Sequence, residues 1–454
     1  MIWVQFRRYS ESTRGISRGA PGTAVCMIFR FSLYGFLKNQ RYFEPFLVLA
    51  LLQMDVSFFG IGLLFGFREL AVNIIEIPSG AIADLYGRRK SMVLSFSAYI
   101  LGFLTFGFAD QLAPLFVAMF LIAVGDAFRT GTHKAMIFTW LRIQDRSDER
   151  TQIYGYTRSW SKIGSAVSAV VAAAFVLAAD SYTLIFFFAV VPYALNIVNF
   201  LRYPKELEGD PTMSAGPRQL VQHMNRTLVD AVRRPGLRRL ILESIGFEGV
   251  FHAVKDYLQP VLALAAIAVA SRYSFSANLS EVQQSALLVG PVYLVVHLLS
   301  SAASRNAHRV AARAGGEVNA ARWIWAASVA IFAVIFLAGF TNISALLILA
   351  FVTLHVLQDA WRPILISRFD EHSSEEQGAT ILSVESQSRR FATMLSAPLI
   401  GLAIDIAQSQ SIGSGAFWPI GVIGVVVGLA FFATAFRPTP VTDEAPTEAA
   451  SEPA

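Results

Sequence analysis

Gly80-Ala-Ile-Ala-Asp84-Leu-Tyr-Gly87-Arg88-Arg89-Lys90 sets one acid, two glycines and three bases between two strongly apolar runs. The surrounding chain has 454 residues, 54% hydrophobic and 15% charged, with a mean hydropathy of +0.51, more apolar and less charged than ordinary soluble proteins. A hydrocarbon layer about 30 Å thick takes about 20 apolar helical residues. Cutting the chain on that length predicts spans one to six near 33–53, 57–83, 91–109, 112–136, 153–179 and 182–201. Spans seven to twelve follow near 240–268, 284–304, 323–340, 343–366, 379–406 and 416–436. Strands are excluded because the runs are long and do not alternate, and because backbone exposed to lipid must satisfy its own hydrogen bonds. The expected fold is all-α, a polytopic membrane protein of twelve transmembrane helices.

Alternate connectors carry the bases, among them Arg88, Arg89 and Lys90, then Arg142, Arg146 and Arg150, then Arg305, Arg309 and Arg313. The other set of connectors carries Arg272 alone. By the positive-inside bias this places both termini in the cytoplasm of a multi-pass protein of the plasma (inner) membrane. Residues 1–32 are expected to form an N-terminal cytoplasmic segment without the apolar centre of a signal peptide, with Met27 an alternative start to Met1. Residues 33–202 and 240–437 form two six-helix halves joined by the basic, proline-containing linker 203–239. The tail 438–454, rich in Pro, Ala, Thr and Glu, is expected to be disordered.

Several functions are excluded. The formal net charge of +5 sits in short connectors and not on one basic face, so no nucleic-acid partner is expected. A single cysteine, Cys26, precludes an internal disulfide framework and a multi-cysteine metal site. There is no phosphate-binding Gly-Lys-Ser/Thr loop, no His-Glu-x-x-His helix and no Gly-x-Ser-x-Gly elbow. Accordingly no catalytic residue, metal or cofactor is assigned, and the expected partners are the bilayer, a small solute and protons, with the chain acting as a monomer.

Charge also recurs by span number. Spans three, six, nine and twelve contain no Asp, Glu, Lys, Arg or His. A charged group facing lipid costs several kcal/mol, so these four spans are expected at the periphery and the other eight around a polar interior. Polar residues there fall on single helical faces: Glu69, Asn73 and Glu76 in span two, Asp126, Arg129 and His133 in span four, Arg158, Lys162 and Ser165 in span five. Span seven presents Glu248, His252, Lys255 and Gln259, span ten His355, Asp359 and Arg362, and span eleven Glu385 and Arg389. The halves match locally: Asp126-Ala-Phe-Arg129 corresponds to Asp359-Ala-Trp-Arg362, and Ser159, Ser161 and Lys162 to Ser386, Ser388 and Arg389. Equivalent positions in the same order are what a parallel repeat produces.

With these features in place, the chain resembles the major facilitator superfamily over about residues 30–437. The opening stretch is similar to that family's signature loop between its second and third helices, with Gly80, Asp84, Gly87, Arg88 and Arg89 at the motif positions. The resemblance implies two pseudo-symmetric halves and a charged latch against span eleven on the cytoplasmic side. Physically, Gly80 would allow close helix contact, Gly87 a backbone conformation forbidden to larger residues, and Asp84 a pairing with Arg88 and a neighbouring helix N-terminus. The loop after span eight, Ser304-Arg-Asn-Ala-His-Arg309, lacks the acid and glycines, so the latch is expected on one side only.

Two groups of buried charge follow. Asp126, Arg129, Arg158, Lys162, Asp359, Arg362, Glu385 and Arg389 lie in the cytoplasmic half of the membrane. They are expected to form an inner gate, with Arg158 or Lys162 meeting Glu385 and Arg129 meeting Asp359. The alternative is pairing within each helix, Asp126 with Arg129 and Asp359 with Arg362. Deeper lie Glu69, Asn73, Glu76, Glu248, His252, Lys255 and Gln259, the expected substrate or proton site. Pro260 and Pro398 are expected to kink spans seven and eleven, and Phe186-Phe187-Phe188 to contact lipid. A secondary carrier for a small polar, charged or zwitterionic solute is expected. A non-transporting sensor of the same fold and an integral membrane enzyme are the alternatives.

Overall fold

A computed structural model describes residues 21–208, 222, 233–271, 278–370, 378–410, 413 and 415–435. Among these the chain is helical, with no strand. Nine spans are single helices: Phe58–Tyr86, Arg88–Phe108, Arg150–Ala179, Leu184–Leu201, Glu281–Arg313, Glu317–Thr341, Ser344–Asp370, Gly378–Ser409 and Trp418–Ala435. The other three are interrupted, each next to a charged residue.

Span one begins earlier than its apolar run suggests, as Pro21–Lys38, breaks at 39–43, and resumes through a 3-10 turn at Glu44–Phe46 into Leu47–Gln53. The helix passes through Met27, whose side chain is buried. Pro45 lacks an N–H and disfavours helix at the residue before it, which explains the late restart. Span four runs Leu112–Arg129 and restarts as Thr132–Ile143 after Gly131, whose φ is +79°. Span seven is Pro235–Ser244, a π-helical turn at Ile245–Gly249, Val250–Val254, a 3-10 turn at Lys255–Tyr257, and Leu258–Ala270. Pro260 falls in the first turn of Leu258–Ala270, where an N–H has no partner within the helix and its absence is tolerated. Span eleven continues through Pro398 without interruption. The stretch Ser304–Arg309, expected as a loop, is helical; span eight runs on until Gly315 and Gly316, where φ is +78° and +119°. Alanine and arginine, both good helix formers, fill that extension up to the glycines.

Spans three and six pack against spans four and one and against each other, and spans nine and twelve pack together, with nine also against ten. The two halves meet chiefly where span two lies on span eleven and span five on span eight. The spans without charge therefore lie outside the seam. Span six exposes Leu184, Phe188, Val191, Leu195 and Val198, spaced as one helical face, which in a membrane protein is the surface left to lipid. Phe186 does not contact lipid as expected. It is fully buried and stacks on Phe106 and Phe43, because it points to the opposite side of that helix. An aromatic core including Phe96, Tyr99, Phe103 and Tyr193 fills the first half.

Candidate functional site: a seam joined at one end and open at the other

The face carrying the basic connectors is the basic face of the bundle. Near the other face the halves are tightly joined. Gly62 and Gly66 of span two lie against the backbone of Ala397 and Met394, and Gly401 against the carbonyl of Phe58, so any side chain there would collide with main chain. Asp405 accepts hydrogen bonds from the backbone N–H of Phe58 (3.1 Å) and Phe59 (2.8 Å), covering the exposed donors that begin span two. Span five and the turn after it are joined to span eight at the same level. The Tyr182 and Ser285 hydroxyls are 2.5 Å apart, and Gln283 donates to the Leu177 carbonyl at 2.9 Å.

Towards the basic face, spans five and eight diverge. A cavity of about 1500 Å³ opens between span five (Arg158, Ser159, Lys162) and spans eight and ten (His297, Arg305, Asp359). Lys162 and Asp359 face each other across it at 3.9 Å, half-exposed. Of the expected gate, this contact alone links the halves among the described residues. Arg129 does not meet Asp359. It stays in the first half, 3.1 Å from Asp126, with its Nε donating to the Tyr99 hydroxyl, which itself donates to Asp126 at 2.5 Å. Neither Arg158 nor Lys162 meets Glu385. That carboxylate, completely buried, receives two hydrogen bonds from Arg362 at 2.7 and 2.9 Å and another from Ser244, with Arg389 at 4.0 Å. The reason is proximity: Asp126 and Glu385 each have a base of their own half within reach, closer than any across the open cleft.

The deeper residues do not form one centre either. Glu69 and Glu76 converge, but on a base absent from the expected set. Arg390 of span eleven lies 3.8 Å from Glu69 and bonds Glu76, while Arg68 bonds Glu69 at 2.6 Å. Asn73 donates to the Gln387 carbonyl at 3.3 Å, so this face of span two reads span eleven directly. Glu248 and His252 stay together, 3.5 Å apart, with Gln358 donating to Glu248 and Arg389 donating to His252. Lys255 pairs with the neighbouring Asp256 (2.9 Å). Gln259 is fully buried and serves the break in span one: its Oε1 accepts from the Val48 N–H and its Nε2 donates to the Glu44 carbonyl, both at 2.8 Å. Both ends of the amide are engaged, so Gln259 has the role of a strut between the halves. Arg390, Asp405 and Gln358 were legible only as polar residues in the right spans.

The signature loop is built partly as expected. Gly87 has φ of +103° and turns span two into span three. Gly80 makes no close helix contact: among the described residues nothing lies within 4 Å of where its side chain would start. Arg88 donates to Thr139 at 3.0 Å, and Arg89 lies 3.2 Å from Glu208 and 3.2 Å from the Tyr203 carbonyl. These bases are therefore held by their own half while the basic face is open. Asp84 is on the last turns of span two; its side chain lies outside the described residues, as do residues 371–377 before span eleven.

Two helical halves meeting along a polar seam define a polytopic membrane protein of the two-bundle type. The chain belongs to the Major Facilitator Superfamily, whose family model matches residues 22–395. That family is one of transporters, which sets aside the membrane-enzyme alternative. A curated relative, the "uncharacterized MFS-type transporter YxaM" of Bacillus subtilis (strain 168), is 36% identical over 99 residues. The matched stretch is 22% of this chain and 24% of that relative, about a quarter of its length. Among solved structures, the nucleoside transporter NupG superposes with a TM-score of 0.71 at 10% identity, covering 90% of this chain and 99% of NupG. A POT family transporter in complex with 5-aminolevulinic acid gives 0.67 at 14% identity, covering 90% and 96%. At such identities the likeness concerns the fold.

Proposed function

We propose that the protein is a secondary carrier that moves a small polar, charged or zwitterionic solute across the plasma membrane by alternating access. The observation that carries this is the one-sided cavity: the seam is joined at one end and holds about 1500 Å³ open at the other. With the basic face in the cytoplasm, along with both termini, this is the inward-open state. The six-span halves, 33–202 with the earlier start at Pro21, and 240–437, rock as units linked by 203–239. In the outward-open state the Asp84 loop latches onto the start of span eleven, and Lys162 and Asp359 draw closer as span five returns to span eight.

Proton coupling is assigned to Glu69 and Glu76. Both share Arg390 across the halves, so a proton on either carboxyl weakens its hold on the guanidinium and frees spans two and eleven to part. Glu248 and His252, paired within the second half, are a second proton-accepting couple.

Purified protein in vesicles, screened with candidate solutes with and without an imposed proton gradient, tests this. Solute flux faster with the gradient, and gradient-independent in Glu76→Gln, is expected. Binding without flux for any solute would identify a sensor instead, and flux indifferent to the gradient would remove the proton.

A further inference from the structure

Beside the main cleft is a second cavity of about 390 Å³, enclosed by spans one, four and five of the first half. It shares Lys134, Arg158 and Lys162 with the larger one. Five bases border it, these three with Lys38 and Arg129, and no Asp or Glu does. Two of the five have an acid at hand: Arg129 has Asp126, and Lys162 has Asp359 at 3.9 Å. Among the described residues no carboxylate lies within ion-pair distance of Lys38, Lys134 or Arg158.

What these three touch instead are aromatic faces. Lys38 lies over Tyr34 at 5.7 Å, Lys134 over Phe138 and Tyr154 at 5.4 and 5.6 Å, and Arg158 over Tyr154 at 5.9 Å. A ring face orients a cation without neutralising it. Deeper in the seam, Arg390 is matched to Glu69 and Glu76 and Arg362 to Glu385. Lys38 is half-buried and Lys134 and Arg158 are exposed, and an unmatched set gathered around one pocket concentrates positive potential where a ligand can reach it.

We infer that this side cavity holds the anionic group of the transported solute, a carboxylate or phosphate on a small organic molecule whose remainder lies in the main cleft. The word "transported" rests on the carrier function above; the anion site rests on the charge balance alone. The sizes fit that division, with about 390 Å³ for the anionic head and about 1500 Å³ beyond it. An anion reaching Lys162 also competes with Asp359, so occupancy would release the contact that spans the cleft.

The test is calorimetric binding to the full chain in detergent. The probes are succinate and glycerol 3-phosphate, with succinamide, glycerol, choline and inorganic phosphate as controls. At least one organic anion is expected to bind at millimolar concentration or better, with the neutral and cationic controls silent. Lys38→Gln and Arg158→Gln should each weaken that binding at least ~10-fold, as expected for loss of one charge-assisted contact. Arg158→Lys should recover most of the affinity, which separates lost charge from lost folding.

No binding by either organic anion, equal binding of choline or the neutral analogues, unchanged affinity in both Gln variants, or failure of Arg158→Lys to recover affinity would each overturn the assignment. Inorganic phosphate binding alone would overturn the organic solute. Vesicle flux separates the two claims. An anion that binds but is not moved leaves the site standing and the carrier function failed. Flux of a neutral or cationic solute unaffected by Arg158→Gln does the reverse.

Discussion

Spans two and eleven stay together from Phe58 and Asp405 as far inward as Glu76 and Arg390, whereas spans five and eight part beyond Ala173 and Gly290. The two junctions occupy equivalent places in the repeat, yet they are made differently. The first combines backbone contact at glycines with a base bound to two acids from the other half. The second has hydroxyl and amide contacts near its end and then a single 3.9 Å ion pair across open space. The contrast sets a firm junction, spans two and eleven, against a yielding one, spans five and eight. A junction with buried, multiply bonded charge is costly to part while its acids stay ionised, and one with a solvated pair opens at little cost.

Breaking the firmer junction should have the largest effect. Arg390→Gln leaves Glu69 with Arg68 alone and takes from Glu76 the base that holds it, and should destabilise the protein by about 3–5 kcal/mol, read as a lower melting temperature in detergent. Adding Glu76→Gln should recover part of the loss; no recovery would mean that Arg390 acts through packing alone. Gly401→Leu forces a side chain into the Phe58 carbonyl and should cost about 1–3 kcal/mol by the same measurement. Wild-type melting would show that the helices can separate there freely.

Between the two in kind is Gln259→Ala, which removes both hydrogen bonds from the break in span one. About 1–2 kcal/mol is expected, with hydrogen exchange faster at Val48 and its neighbours. The smallest change belongs to spans five and eight. Lys162→Gln should alter stability by less than about 1 kcal/mol while moving the distance between labels on spans five and eight towards the open value. A large stability loss with no change in that distance would reverse the roles of the two junctions.

Much of this arrangement could be read from the chain. The absence of charge from every third span located the lipid-facing helices, since a misplaced charge costs more than any packing detail can return. Gly87 was legible because only a residue without a side chain adopts its φ cheaply. The pairing of charges was not legible. Asp126 meeting Arg129 and Asp359 meeting Lys162 are both compatible with the helical spacing, and the choice depends on which helices touch in the state observed. Arg390 escaped notice beside Arg389 because adjacent residues point about 100° apart, so one faces its own half and the other the partner. Gln259 lay on the expected polar stripe of span seven, but its partner is an interruption in span one that apolar content does not reveal.

By itself the sequence determined that the chain is a bundle of membrane helices, which of them avoid the interior, and where the signature turn falls. These follow from solvation costs and backbone sterics, which act residue by residue. Tertiary structure alone decided which acid holds which base, which end of the seam is joined, and where positive charge is left without a partner. Those depend on distances between residues far apart in the chain, and such distances exist only once the helices have packed.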